Sequence, residues 1–164
     1  MKSFIAFVFG LIIGPLLLLA LGVFGWLPSN ATAEPPRWES SIGMQFLDAS
    51  LEKRSKGLTN QIAGSNAAAL AAGGKIYAKN CAGCHGSAKG PSAWGAKGFY
   101  PRAPQFFQEG SDVTAPEAFA AIRDGVRYSG MGAWRGLMKD DEMWKTANFV
   151  ANIHPKGATM EDMD

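Results

Sequence analysis

The chain is 164 residues long and 47% hydrophobic, enough for one compact core with an appendage and short of two full domains. Its formal net charge is +2, from 16 basic and 14 acidic side chains without a dense basic run, which argues against nucleic acid as a partner. Only two cysteines are present, too few for a four-cysteine zinc site or a disulfide scaffold.

From Phe4 to Leu27 the sequence carries no charge. About 20 apolar residues suffice to cross a hydrocarbon layer, so residues 1–28 are expected to form a transmembrane signal anchor. Lys2 ahead of the run points to a cytoplasmic N-terminus, and Trp26 suits the far interface. Ala31-Thr32-Ala33 has the small-x-small form of a signal-peptidase site, but a cleavable signal has an apolar core of only about 7–15 residues. The length therefore favours retention. Gly14-Pro15 falls mid-span, where a missing backbone donor bends the helix. Retained or cleaved, the leader puts the rest of the chain outside the cytoplasmic membrane.

Residues 29–66 read as a linker with an amphipathic helix. LPSNATAEPPR is rich in proline and small residues. Over Trp38–Lys56 the residues Ile42, Phe46, Leu47 and Leu51 recur near helical spacing, predicting a helix that lies on the next domain, the membrane or a partner. GLTNQIAGSN then reads as a loop. A further helix is predicted from Asn66 into the cysteines, through AAALAAGGKIYAKN, although Gly73-Gly74 weakens it. Between Gly86 and Asp112, glycine and proline predominate and the chain reads as mostly irregular, a length that calls for a reason such as wrapping a ligand. Thr114 and Glu117 form a capping box ahead of a helix that stops at Gly125. Asp140–Ile153 opens with three acids in its first turn and places Met143, Trp144, Ala147, Val150 and Ala151 on one face. The tail HPKGATMEDMD reads as frayed. No strand-period segment appears.

Both cysteines sit in KNCAGCHGSAKG, as Cys81-x-x-Cys84-His85. A structural zinc site would need four ligands, and beyond these three only the remote His154 is available. A thioredoxin-like disulfide would need a strand–helix context, whereas this pattern is helical. Covalent haem attachment fits best. One helical turn separates the two sulfurs, so each reaches a vinyl group on one porphyrin edge, and the adjacent imidazole of His85 is carried under the iron.

From about Gly73 to Ile153 the sequence resembles a class I c-type cytochrome domain, on GGKIYAKNCAGCH, APQF, IRDGVRYSGMGAW and the terminal helix with WKTANFV. The resemblance implies an all-α class I cytochrome c fold, three to four helices around one covalent haem c, over residues 67–164. The N-terminal transmembrane helix and the amphipathic helix are additions to it. It implies that the first and last helices cross through Gly73 and Tyr77 against Trp144 or Phe149. It also implies a sixth iron ligand from a loop beyond the third helix, the place held by Met131, with Met138 as competitor. Met143 is on the core face of the last helix, and Met160 and Met163 lie past it. Gly132 stands where the family more usually has proline, which would loosen the loop. Pro104 in APQF resembles the position whose carbonyl accepts the N–H of the proximal histidine, with Pro91 as competitor. Arg102, Arg127 and Tyr128 are candidate donors to the haem propionates, and Trp94, Tyr100, Phe106 and Trp134 are expected to pack on the haem.

Filled axial positions imply an electron-transfer protein and no enzyme in its own right, whether or not it is a subunit of an oxidoreductase or photosynthetic complex. A peroxidase or gas sensor would require Met131 to be displaced. Expected partners are redox proteins, reached as a subunit or close associate of a membrane complex, with a free tethered shuttle as the alternative. The expected location is a bacterial inner membrane, crossed once, with the haem domain periplasmic. Lys79, Lys89, Lys97, Arg102, Arg127 and Arg135 would form a basic rim for an acidic partner.

Overall fold

The computed structural model describes residues 2–62 and 66–154, leaving aside the side chains at 2, 3, 5 and 6. The frayed tail expected after His154, with Met160 and Met163, lies outside the described residues, as does part of the loop expected at 57–66. Two compact units divide the chain, Met1–Ala33 and Glu34–Asp164.

The first unit holds α1 (Lys2–Val23), a helix that runs on through Pro15. Past its end, the amide of Ala33 donates to the Asn30 side chain at 2.7 Å, closing a turn. Among the described residues no helix is long and apolar enough to cross a membrane, so the span expected from Phe4–Leu27 is not supported there. The unbroken run of described side chains in α1 starts at Phe7.

The second unit is all-helical. It comprises α2 (Arg37–Ser55), α3 (Ala67–Asn80), α4 (Ala82–His85), α5 (Ala93–Lys97), α6 (Phe106–Glu109), α7 (Ala115–Asp124) and α8 (Asp140–Ala151). Extended pairing among the described residues is limited to the isolated bridges Ser87–Gly90 and Arg135–Met138. The helix starts follow from their caps. Asn66 accepts from the Ala68 amide at 2.9 Å, and the Thr114–Glu117 capping box forms in both directions. At α8 the Glu142 carboxylate accepts from the Lys139 amide at 3.0 Å, and Asp141 pairs with Lys145 at 2.8 Å.

The core lies between α3, α7 and α8. Tyr77, Phe119, Met143, Trp144, Ala147 and Val150 are buried there. Helices α3 and α8 cross at Gly73, where a Cβ would collide with the Lys145 carbonyl and meet Phe149 Cβ at 3.0 Å. Tyr77 packs on Phe149 with ring centroids 5.4 Å apart, as one of the two expected pairings has it. Trp144 finds its aromatic partner on another helix. It stacks on Phe119 of α7, centroids 4.0 Å apart and rings 11° from parallel. The reason is helical geometry: Trp144 sits about 140° around α8 from Phe149, so the two residues face different neighbours.

Of the three surfaces open to the amphipathic helix, its C-terminal half takes its own domain. Leu51 is buried and α2 packs against α7. Its N-terminal half leaves Trp38, Ile42 and Phe46 exposed. The segment expected to be irregular contains two short helices, α5 and α6, joined by loops.

Candidate haem site

Helix α3 runs almost directly into α4, and Cys81 is the hinge between them. Its amide donates to the Tyr77 carbonyl at 2.8 Å, while its own carbonyl accepts from the Cys84 and His85 amides at 3.0 and 2.9 Å. The motif is thus wound into one helical turn, with both cysteines free and half-buried. Burial, followed by the neighbouring Cys84, pushes the Cys81 thiol up to about 11.

The His85 ring is fixed from two sides. Its Nδ1 lies 3.0 Å from the Pro104 carbonyl, and Phe106 stacks on it with centroids 5.0 Å apart. A carbonyl only accepts, so Nδ1 carries the proton and Nε2 is left with a free lone pair. Burial lowers the pKa of the imidazole, partly offset by the bond to Pro104, and favours the neutral ring that binds iron. Pro104, not Pro91, therefore makes the expected contact.

Three polar side chains hold the motif from behind. The Tyr77 hydroxyl donates to the carbonyls of His85 and Gly86 at 3.1 and 3.0 Å. Gln105 is buried, donates to the Cys84 and Ala103 carbonyls at 2.9 and 2.7 Å, and accepts from the Ser92 amide at 2.7 Å. The Ser92 hydroxyl donates to Gly83 at 2.6 Å and accepts from the Gly95 amide at 2.9 Å. Gly95 presses so closely on the Cys84 carbonyl that a Cβ has no room. The sequence marks Tyr77 for the helix crossing but gives no sign of this second role, nor of those of Ser92 and Gln105. Gln105 lies inside APQF, but its burial depends on a loop path that has no periodicity to read.

Met131 sits in the loop between α7 and α8, half-buried against the core. The loop is closed by its own backbone: Val126 N–H donates to the Met131 carbonyl at 3.0 Å, Ser129 Oγ donates to the Val126 carbonyl at 2.7 Å, and Met131 N–H donates to Ser129 Oγ at 3.1 Å. It then returns along the end of α7, where Trp134 and Arg135 amides donate to the Ile122 and Arg123 carbonyls at 3.0 and 3.1 Å. Those are carbonyls that a helix end leaves unpaired. Gly125 makes the return possible. Its φ is +71°, and a Cβ there would meet the Ala133 amide at 2.8 Å.

The competitor Met138 lies in the turn before α8 and lines an open groove of about 360 Å³ with Ile76, Lys79, Trp134, Leu137 and Glu142. Met143 is fully buried in the core. Trp134, like Met131, packs against the core. Arg127 and Tyr128 are exposed at the loop tip, and Tyr128 adopts a left-handed φ of 60°. Arg102 donates to the Lys97 and Ala96 carbonyls at 2.9 and 3.3 Å and pairs with Glu34 at 2.6 Å. Among the expected packing aromatics, Phe106 reaches His85, whereas Tyr100 donates to the Glu39 carboxylate and Trp94 turns to Phe99 at 4.5 Å.

The donor set fits a haem. Two thiols on one turn and an imidazole with Nε2 free match what a covalently attached porphyrin iron leaves to the protein, with Met131 the expected sixth donor. Among the described residues no group of three or more His, Cys, Asp or Glu could hold a bare metal ion. No curated protein and no solved structure matches the chain. Residues 68–150, half of the chain, match the family model described as cytochrome C oxidase, cbb3-type, subunit III. The chain therefore belongs to this family of c-type cytochrome domains, binds haem c covalently and transfers electrons.

Proposed function

We propose that the chain is a membrane-anchored, periplasmic electron carrier working as a subunit or close associate of a membrane redox complex, and not an enzyme by itself. Cys81 and Cys84 would hold the haem through two thioethers, and His85 Nε2 and the Met131 sulfur would bind its iron. The group they hold supplies the one-electron couple. The protein's part is to fix its surroundings: Pro104 and Phe106 orient the His85 ring, and the closed 126–131 loop presents a soft thioether that favours the ferrous state. The observation that carries this reading is the His85–Pro104 bond, which fixes the tautomer with Nε2 available for iron.

The uncharged stretch Phe4–Leu27 of the sequence supports the anchor, and Lys2 before it supports a cytoplasmic N-terminus. The family description names an oxidase subunit, which supports membership of a respiratory complex over a free shuttle. Arg127 and Tyr128, exposed in the Met131 loop, and Arg102 are the candidates for propionate contacts. Membrane fractionation followed by mild-detergent purification tests the reading. Recovery in the membrane fraction with redox subunits is expected. Release as a lone soluble haem protein from cells that retain residues 1–28 would contradict it.

A further inference from the structure

Arg54 lies next to the last residue of α2, outside the family-matched segment 68–150, yet it reaches the end of α7. Its Nη2 donates to the Ala120 carbonyl at 2.6 Å and the Gly125 carbonyl at 3.2 Å, and lies 3.7 Å from the Asp124 carboxylate. Gly125 is the residue against which the backbone of Met131, Gly132 and Ala133 packs. Asp124 also pairs with Arg135, which belongs to the same returning strand of the loop. One guanidinium thus fixes the glycine turn from which the methionine loop departs and the carboxylate to which it returns.

We propose that Arg54 is a positioning residue for the Met131 loop, so that α2 braces the sixth ligand from outside the cytochrome domain proper. Charge-assisted bonds to two carbonyls hold Gly125 in place, and the loop amides of Val126 and Trp134 keep their partners only while that turn is held. The inference rests on Met131 as the axial ligand, but the hydrogen bonds on which it acts are independent of the iron.

The test uses the full-length holoprotein with Arg54→Ala, Arg54→Lys and Met131→Ala. Amide exchange at Val126 and Trp134 should quicken by about tenfold or more in Arg54→Ala, the loss expected for a charged hydrogen-bond donor, and recover in part in Arg54→Lys. Exchange in the α3–α8 crossing should stay unchanged. The near-infrared absorption of methionine-ligated ferric haem should weaken in Arg54→Ala, and the reduced protein should bind carbon monoxide faster. Wild-type exchange and an unchanged band in Arg54→Ala, with the band abolished in Met131→Ala, would overturn the brace. Uniformly faster exchange at the α3–α8 crossing would overturn it too, because Arg54 would then serve global stability only. Absence of the band from the wild type would instead refute the Met131 ligand, with the exchange pattern still deciding the brace.

Discussion

Gly73 of α3 lies directly against the carbonyl of Lys145 in α8, with no room between them for a single added carbon. The helices that carry the haem-binding turn and close the core touch backbone to backbone at this point. Replacing Gly73 by alanine must push them apart or bend one of them, at a cost of about 1–3 kcal/mol typical of overpacking. A lower urea midpoint with unchanged slope is expected for Gly73→Ala. An unshifted midpoint would show that the crossing is not tight.

Gln105 holds the motif from a buried position through three hydrogen bonds. Gln105→Leu strands the Ser92 amide and the carbonyls of Cys84 and Ala103 away from water, and each buried group left unpaired costs about 1–3 kcal/mol. The expected outcome is a lower thermal midpoint and a lower ratio of haem to protein on expression. Full haem loading at the wild-type midpoint would show that these groups find water instead.

Asp124 supplies an acid-sensitive element. Its carboxyl is held below the usual range first by the hydrogen bonds from Arg123, against a burial effect that raises it, and then by the charges of Arg123 and Arg135. Arg54 and Asp140 complete the charged surroundings. A depressed folded-state pKa stabilises the fold above the unfolded carboxyl value, near 3.9, and this contribution is lost as pH falls through the lower folded value. Asp124→Asn should therefore cost stability at pH 7 and flatten the loss of stability as pH falls below the unfolded carboxyl value. Parallel acid unfolding curves for wild type and variant would rule the contribution out.

The thioether attachment is tested by replacing both cysteines. In Cys81→Ala/Cys84→Ala, acidified acetone should extract any haem retained through the axial ligands, whereas the wild type should keep its haem with the protein. Extraction from the wild type would refute covalent attachment.

Much of this architecture is legible in the sequence where the signal is local. The Thr114–Glu117 box, the acids opening α8 and the Cys81–His85 spacing each act within a few residues, and each is found as expected. Trp144 and Phe149 show where locality fails. Both are large aromatics on one amphipathic helix, but which of them meets α3 depends on the crossing angle with α7 and α3 together. Arg54 is the extreme case. Its acceptors are backbone carbonyls 66 and 71 residues away, and a carbonyl has no identity in a sequence. The partners of Arg102 and Tyr100 are hidden for a related reason, since Glu34 and Glu39 lie in a segment that the family pattern does not include.

The central claim is that His85 and Met131 together fill the axial positions, leaving electron transfer as the chemistry. The most direct measurement is the near-infrared spectrum of the oxidised holoprotein, compared between wild type, Met131→Ala and Met138→Ala. The account predicts a weak methionine-to-ferric-iron band that survives in Met138→Ala and vanishes in Met131→Ala. A band that persists in Met131→Ala, or that is lost only in Met138→Ala, would contradict it.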